Sequence, residues 1–205
     1  MSDETTVVFD LGGVLIDWNP RHLYRKIFAS EGEIDDFLAR VCPMEWNERQ
    51  DAGRPFAEAV AERVALFPEH RMAIEAYFGR WTEMLGGAFD GTVEILREQV
   101  DRAPVYALTN WSAETWPHAV ERFAFLEWFA GIVVSGDEGC AKPDPRIFEI
   151  LLDRYSLEPT KTVFIDDNPA NIEAASRLGF DAIRFTDSEQ LRSALEARGL
   201  TKPRD

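Results

Sequence analysis

Four groups of reactive residues in this 205-residue chain each lie just beyond a short apolar run. Asp10-Leu11-Gly12-Gly13 follows Thr6-Val7-Val8-Phe9, and Thr109-Asn110 follows Val105-Tyr106-Ala107-Leu108. Lys142, within Ala141-Lys142-Pro143-Asp144-Pro145, lies in the loop beyond Gly131-Ile132-Val133-Val134. Asp166-Asp167-Asn168 follows Thr162-Val163-Phe164-Ile165. Brought to one crevice, three carboxylates, a hydroxyl and a lysine suit phosphoryl transfer from a small ester. A carboxylate can attack phosphorus and form an aspartyl-phosphate. Ionised carboxylates facing a phosphate dianion repel it, so a hard divalent cation with oxygen ligands is needed, and Mg²⁺ fits. The lysine offsets charge on the equatorial oxygens, while the threonine hydroxyl and nearby backbone N–H groups donate to them. Gly12 and Gly13 let the backbone approach the phosphate closely.

Taken singly, each group has a plainer explanation. Asp10 before Gly-Gly could be a turn aspartate, and Thr109-Asn110 a strand end capping the helix after Ser112. Lys142 could be a solvated loop lysine, and Asp166-Asp167-Asn168 an N-terminal cap for a helix opening at Pro169. Their order favours the joint reading, because each group follows the strand that would carry it.

The elements that must position these groups are legible in outline. Continuous apolar runs of this length suit strands buried on both faces, as in a parallel sheet, and Asp181-Ala182-Ile183-Arg184-Phe185 is a weaker fifth. Helical spacing separates them: Ile147, Ile150 and Leu151 with Pro145 near the start, then Ile172, Ala175 and Leu178 closed by Gly179. Alternating strands and helices predict a doubly wound α/β sheet, whose ligands bind at the carboxyl ends of the strands. The stretch from 18 to 88 offers no convincing strand. Phe56, Val60, Val64 and Phe67 form one amphipathic pattern, and Ile74, Phe78, Trp81 and Leu85 the next. Pro20, Pro43, Pro55 and Pro68 stand at plausible helix starts. The expected organisation is a core from residues 1–17 and 89–205, with residues 18–88 inserted as an all-helical cap. Gly86-Gly87 is a candidate hinge for that lid.

Composition limits the partners. Acidic residues outnumber basic ones 37 to 22, a net charge of −15, which lacks the electrostatic footprint for nucleic acid or anionic lipid. Cys42 and Cys140 sit in no CxxC or Cys/His cluster, so neither a disulfide framework nor a zinc site is expected. The polar, acidic opening is not expected to act as a signal peptide, and no run approaches the length of a membrane span. A cytoplasmic protein acting on a small molecule is expected, as a monomer or homodimer.

The four segments, in this order, resemble the four motifs of the haloacid dehalogenase-like hydrolase superfamily, and the helical block sits where that family inserts its cap. The resemblance implies a Rossmann-like core, Asp10 as nucleophile, and Thr109 and Lys142 on the phosphate. It also implies Mg²⁺ held by Asp10, Asp167 and the backbone carbonyl of Gly12, with Asp166 in or beside the metal's shell. One position departs from the pattern. Family phosphatases usually carry at Gly12 a second aspartate that protonates the leaving oxygen and then activates water. Such acid–base help typically contributes about 10²–10⁴-fold, so turnover survives its loss best with a good leaving group such as an anomeric sugar 1-phosphate. Bacterial relatives resembling a glucose-1-phosphate phosphatase share Asp-Leu-Gly here. Asp17, nearby, is expected to cap the lid's first helix.

The reading is therefore a Mg²⁺-dependent phosphatase for a small phosphate monoester, such as a sugar phosphate. Two alternatives stand beside it. The 2-haloacid dehalogenases of the family attack carbon without a metal, but usually carry serines in place of Asp166-Asp167 and a tyrosine at the position of Phe148. A catalytically weak regulator that binds a sugar phosphate is favoured only by Gly12. Specificity is expected from the cap stretch Trp46–Arg54, with Arg49 or Arg54 touching substrate. Trp18 and Trp111 would border the crevice with Asn110, unless they serve in packing.

Overall fold

The computed structural model describes residues 5–201. Among the described residues seven strands run in chain order: β1 (Thr6–Phe9), β2 (Ile16–Trp18), β3 (Leu85–Ala88), β4 (Val105–Thr109), β5 (Gly131–Val134), β6 (Thr162–Asp166) and β7 (Asp181–Arg184). All five apolar runs become strands of one parallel sheet in the order β5-β4-β1-β6-β7. Successive side chains alternate between its faces. Val8, Leu108, Val133 and Phe164 pack on one side with Ile147, Phe148, Leu151 and Ala175. Val7, Phe9, Val163 and Ile165 pack on the other with Ile95, Leu96, Leu191 and Leu195. Both faces are thus covered by helices, which explains why the runs read as uninterrupted apolar stretches.

The flanking helices end as their sequences dictate. Asp144 accepts from the Arg146 N–H at 2.9 Å and opens Pro145–Tyr155. Asn168 accepts from the Ala170 N–H at 2.9 Å and opens Pro169–Arg177, and Gly179 follows that helix at φ +93°. The N-terminal cap is therefore Asn168, which leaves the two preceding aspartates available for other work.

Residues 18–88 are not free of strand. β2 and β3 pair antiparallel, Ile16 with Ala88 and Trp18 with Leu85, as a two-stranded ribbon at the base of the helical insert. Three residues and a Leu-Gly-Gly-Ala run are too short and too poor in β-branched residues to signal strand. Gly86 lies within that ribbon, where an added Cβ would sit 2.1 Å from Asp17 Oδ2. Asp17 does not cap a helix; its Oδ2 pairs with His22 Nε2 at 2.8 Å, and Asn19 Oδ1 accepts from the Arg21 N–H instead. The expected helix over 74–85 is also divided into Arg71–Gly79, the 3₁₀ turn Trp81–Met84 and then β3.

Two longer insert helices begin at expected prolines, while Glu31–Asp36 opens on a Ser30–Glu33 capping box instead. Pro43 precedes Met44–Asp51 and Pro55 precedes Phe56–Leu66. Their core is aromatic: Trp46 meets Tyr77 edge-on at 5.1 Å, and Phe56 stacks on Phe78 at 3.6 Å. Trp46 is fully buried there, a packing residue rather than a ligand contact.

Candidate active site

Parallel pairing brings the strand ends into one row. β1 lies between β4 and β6, and the Asp10 N–H continues the ladder by donating to the Ile165 carbonyl at 2.8 Å. Asp10, Thr109 and Asp166 therefore end three adjacent strands. Lys142 reaches them from its loop with a side chain that is 0% exposed, so it is no solvated loop lysine. Its Nζ donates to the Leu108 carbonyl at 2.8 Å, to Asp166 Oδ2 at 2.7 Å and to Asp10 Oδ1 at 2.9 Å. Three acceptors match the three donors of an ammonium group.

Two asparagines hold this arrangement. Asn110 Nδ2 donates to the Lys142 carbonyl and the Lys142 N–H donates to Asn110 Oδ1, both at 2.8 Å. Both polar ends of Asn110 are thus spent on clamping the lysine loop. Asp166 is fully buried and accepts from the Asn168 N–H at 2.8 Å and from Asn171 Nδ2 at 3.0 and 3.1 Å. Asp10 Oδ1 accepts from the Leu11 N–H at 2.7 Å as well as from Lys142. Among the described residues no hydrogen bond reaches Asp10 Oδ2.

The electrostatics follow from crowding three carboxylates around one cation. Burial, opposed by Lys142 and aided by Asp166 and Asp167, pushes the Asp10 carboxyl up to about 8. Asp167 is raised for the same reasons, burial first and Asp166 second. For Lys142, burial favours loss of the proton, but the two aspartates outweigh it and hold the ammonium above its ordinary value. The site thus carries more negative charge than its lysine balances. One oxygen from each of Asp10, Asp166 and Asp167 lies within 4.8 Å of the others. An all-oxygen, electron-rich cluster of this kind fits a hard divalent cation.

A cavity of about 320 Å³ opens over these groups. Asp10, Gly12, Gly13, Asn110, Trp111 and Asp167 line it from the sheet side. Trp18, Asn47, Glu48, Asp51 and Trp81 line it from the ribbon and the insert. Thr109 is buried at the strand end, and its Oγ1 has no partner among the described residues. Arg49 is not brought to the cavity: it is exposed, off the helical face that presents Asn47, Glu48 and Asp51. Arg54 is paired with Glu62. A larger groove of about 710 Å³ between helices Phe56–Leu66 and Arg71–Gly79 is apolar apart from Arg71 and Glu75 and holds none of these groups.

Sequence reasoning passed over Asn171 and Trp81, and it noticed Asp51 only as part of an unusual stretch. Asn171 sits in the first turn of the helix after Asp166-Asp167, a spacing that could have been read as a return contact. Nothing local marks Trp81, whose helical spacing implies core.

Gly13 has a strict steric role. Its φ is +75°, and a Cβ there would sit 2.6 Å from Asp167 Oδ2 and 2.9 Å from its Cγ. Gly13→Ala is expected to lower stability by about 1–2 kcal/mol from the left-handed backbone alone, with the clash adding to it. Denaturant unfolding measures this, and an unaltered midpoint would refute the constraint.

Residues 4–179 match the haloacid dehalogenase-like hydrolase family. The sequence is 26% identical to a validoxylamine A 7'-phosphate phosphatase from Streptomyces hygroscopicus subsp. limoneus, covering 95% of this chain and 92% of that protein. It is 28% identical to a phosphorylated carbohydrates phosphatase from Thermotoga maritima, covering 86% and 82%. In structure it resembles a HAD-family enzyme from Bacteroides thetaiotaomicron, crystallised with magnesium and inorganic phosphate. The TM-score is 0.68 at 21% identity, with 90% and 95% of the two chains covered. The parallel sheet, the acidic cluster at its edge and the match over residues 4–179 make this chain a member of the haloacid dehalogenase-like hydrolase family, an enzyme.

Proposed function

We propose that the chain is a Mg²⁺-dependent phosphatase of small phosphate monoesters, working through an aspartyl-phosphate on Asp10. The observation that carries this reading is the buried Lys142 bridging Asp10 and Asp166, with Asp167 completing a three-carboxylate cluster on the cavity floor. Asp10 Oδ2 attacks phosphorus while Oδ1 stays tied to Lys142 and the Leu11 N–H. Asp10, Asp167 and the Gly12 carbonyl would hold the cation. Asp166, saturated by Lys142, Asn168 and Asn171, acts mainly by orienting the lysine. When bound, Mg²⁺ supplies the positive charge that lets a phosphate dianion approach three carboxylates. The unpartnered Thr109 hydroxyl is a donor suited to a phosphoryl oxygen. Asn110, expected on the substrate, serves in this reading to position Lys142.

A polyhydroxylated ring suits the rest of the cavity. Trp18, Trp81 and Trp111 offer aromatic walls, and Asn47 and Glu48 add polar groups to the same lining. The relative named for phosphorylated carbohydrates supports the same class. Asp166 and Asp167, both retained at the site, argue against attack on a carbon–halogen bond.

A panel of phosphate monoesters assayed with Mg²⁺, beside chloride release from 2-chloropropionate, tests this reading. Phosphate release is expected to stop on EDTA treatment and to return with Mg²⁺. Chloride release, or turnover that persists without metal, would overturn it.

A further inference from the structure

The chemistry above leaves one proton without a carrier. When an alkyl ester is cleaved, the leaving oxygen must gain a proton as its bond to phosphorus breaks. Gly12 supplies none, and no atom lies within 4 Å of where its Cβ would stand. Lys142 has all three donors committed. Asp10 is the nucleophile and Asp167 belongs to the cation. The remaining acids on the cavity wall, Glu48 and Asp51, both come from the insert. Glu48 is exposed, whereas Asp51 is half-buried at the last residue of helix Met44–Asp51.

Asp51 is also the better anchored of the two. Asn47, one turn earlier, donates from Nδ2 to Asp51 Oδ2 at 2.8 Å. Ser135, just beyond β5, donates from Oγ to the Asp51 carbonyl while accepting from the Trp111 N–H at 2.9 Å. Across the same junction the Phe56 N–H donates to Glu114 Oε1 at 2.8 Å. The insert is thus bonded to the sheet's carboxyl edge at Asp51 itself and again at Phe56, and the Asp51 carboxyl lines the cavity that contains Asp10.

Resting on the phosphatase reading, we propose that Asp51 is the general acid and base of this site, carried on the insert and taking the place of the side chain that Gly12 lacks. Asp10 Oδ2 forms a bond to phosphorus and the bond to the leaving oxygen breaks. That oxygen takes the proton of the Asp51 carboxylic acid and leaves as an alcohol. The Asp51 carboxylate then removes a proton from water, whose oxygen attacks the aspartyl-phosphate. The Asp10–phosphorus bond breaks, phosphate departs, and Asp51 is again an acid. Its environment suits both states: burial first, then the Glu48 charge, against the Ser112 N–H, pushes the carboxyl up to about 7.

The test compares two esters. For Asp51→Asn, which keeps an oxygen for Asn47, kcat/KM for glycerol 3-phosphate should fall about 10²–10⁴-fold. For p-nitrophenyl phosphate, whose leaving phenolate needs little protonation, the fall should be about tenfold or less. Adding Gly12→Asp to Asp51→Asn should restore much of the glycerol 3-phosphate turnover, since the space at Gly12 is open. Should Asp51→Asn fail to fold, Asp51→Ser is read in the same way. Equal losses on both esters, no loss on either, or no recovery with Gly12→Asp would each overturn the assignment. A parent enzyme that releases phosphate from neither ester would instead overturn the phosphatase reading, and the proposal with it.

Discussion

Replacing Asp10 by Asn is expected to abolish phosphate release while leaving the protein folded and, without metal, at least as stable at neutral pH. The two effects part because the carboxylate serves chemistry at the expense of the fold. Loss of a covalent nucleophile typically lowers turnover by roughly 10⁴-fold or more. The Asn side chain keeps an oxygen to accept from Lys142 and from the Leu11 N–H, so the polar contacts of Oδ1 survive. It cannot ionise beside Asp166 and Asp167. In the parent, the Asp10 carboxyl is raised from 3.8 to about 8. A carboxyl raised in the folded state contributes stability that is present below about pH 4 and lost as pH climbs toward 8. The Asn variant escapes that loss, so its advantage in EDTA should be small at pH 5 and larger at pH 8. Phosphate release and denaturant unfolding on the same samples check both halves. Retained turnover would remove Asp10 from the nucleophile's role, and a variant less stable at pH 8 than at pH 5, relative to the parent, would refute the electrostatic account.

The same residues show what a sequence can convey. The sheet was legible because parallel strands buried on both faces must be continuously apolar, and Val163-Phe164-Ile165 is such a run. The order of Asp10, Thr109, Lys142 and Asp166-Asp167 was legible because pairing in a parallel sheet places successive strand ends on one edge. Contacts made across the chain were not. Asn110 reads as a strand-end polar residue until Lys142, far along the chain, returns to it with two hydrogen bonds. β2 and β3 each take meaning only from the other, since neither has the length or composition of a strand alone. Arg49 and Asp51 were indistinguishable as polar residues of one unusual stretch. Helical phase separates them: Asp51 shares a face with Asn47 and Glu48 on the cavity, and Arg49 points elsewhere. That phase depends on where helix Met44–Asp51 starts, and boundaries are the least certain part of a sequence reading. The orphaned Thr109 hydroxyl and the space at Gly12 are properties of surroundings, which no local pattern carries.

Lys142→Met should be the most destabilising single change at the site. The ammonium is fully enclosed, with two carboxylates and a carbonyl as its partners. Methionine fills similar volume but leaves Asp10 and Asp166 without their cation. Removing one partner of a buried ion pair costs about 3–5 kcal/mol, because the charge left behind stays desolvated. At roughly 2–4 °C per kcal/mol for a chain of this size, the melting temperature should drop by about 6–20 °C. The deficit should also depend on pH. Lys142 is held above its ordinary value of 10.5, so in the parent its contribution is constant across pH 4–8 and fades only at higher pH. Asp10 loses the main influence opposing its burial, so in the variant its ionisation becomes costlier as pH rises. The gap between variant and parent should therefore be steady from about pH 5 to 8 and widen above pH 8, where Asp10 ionises in the parent but stays protonated in the variant, measured in EDTA by thermal unfolding. A variant that melts within about 2 °C of the parent at pH 8 would mean that the three carboxylates are neutralised by some other route. A wide gap would identify the lysine as counter-ion to the cluster in the resting protein, with all three of its donors committed there.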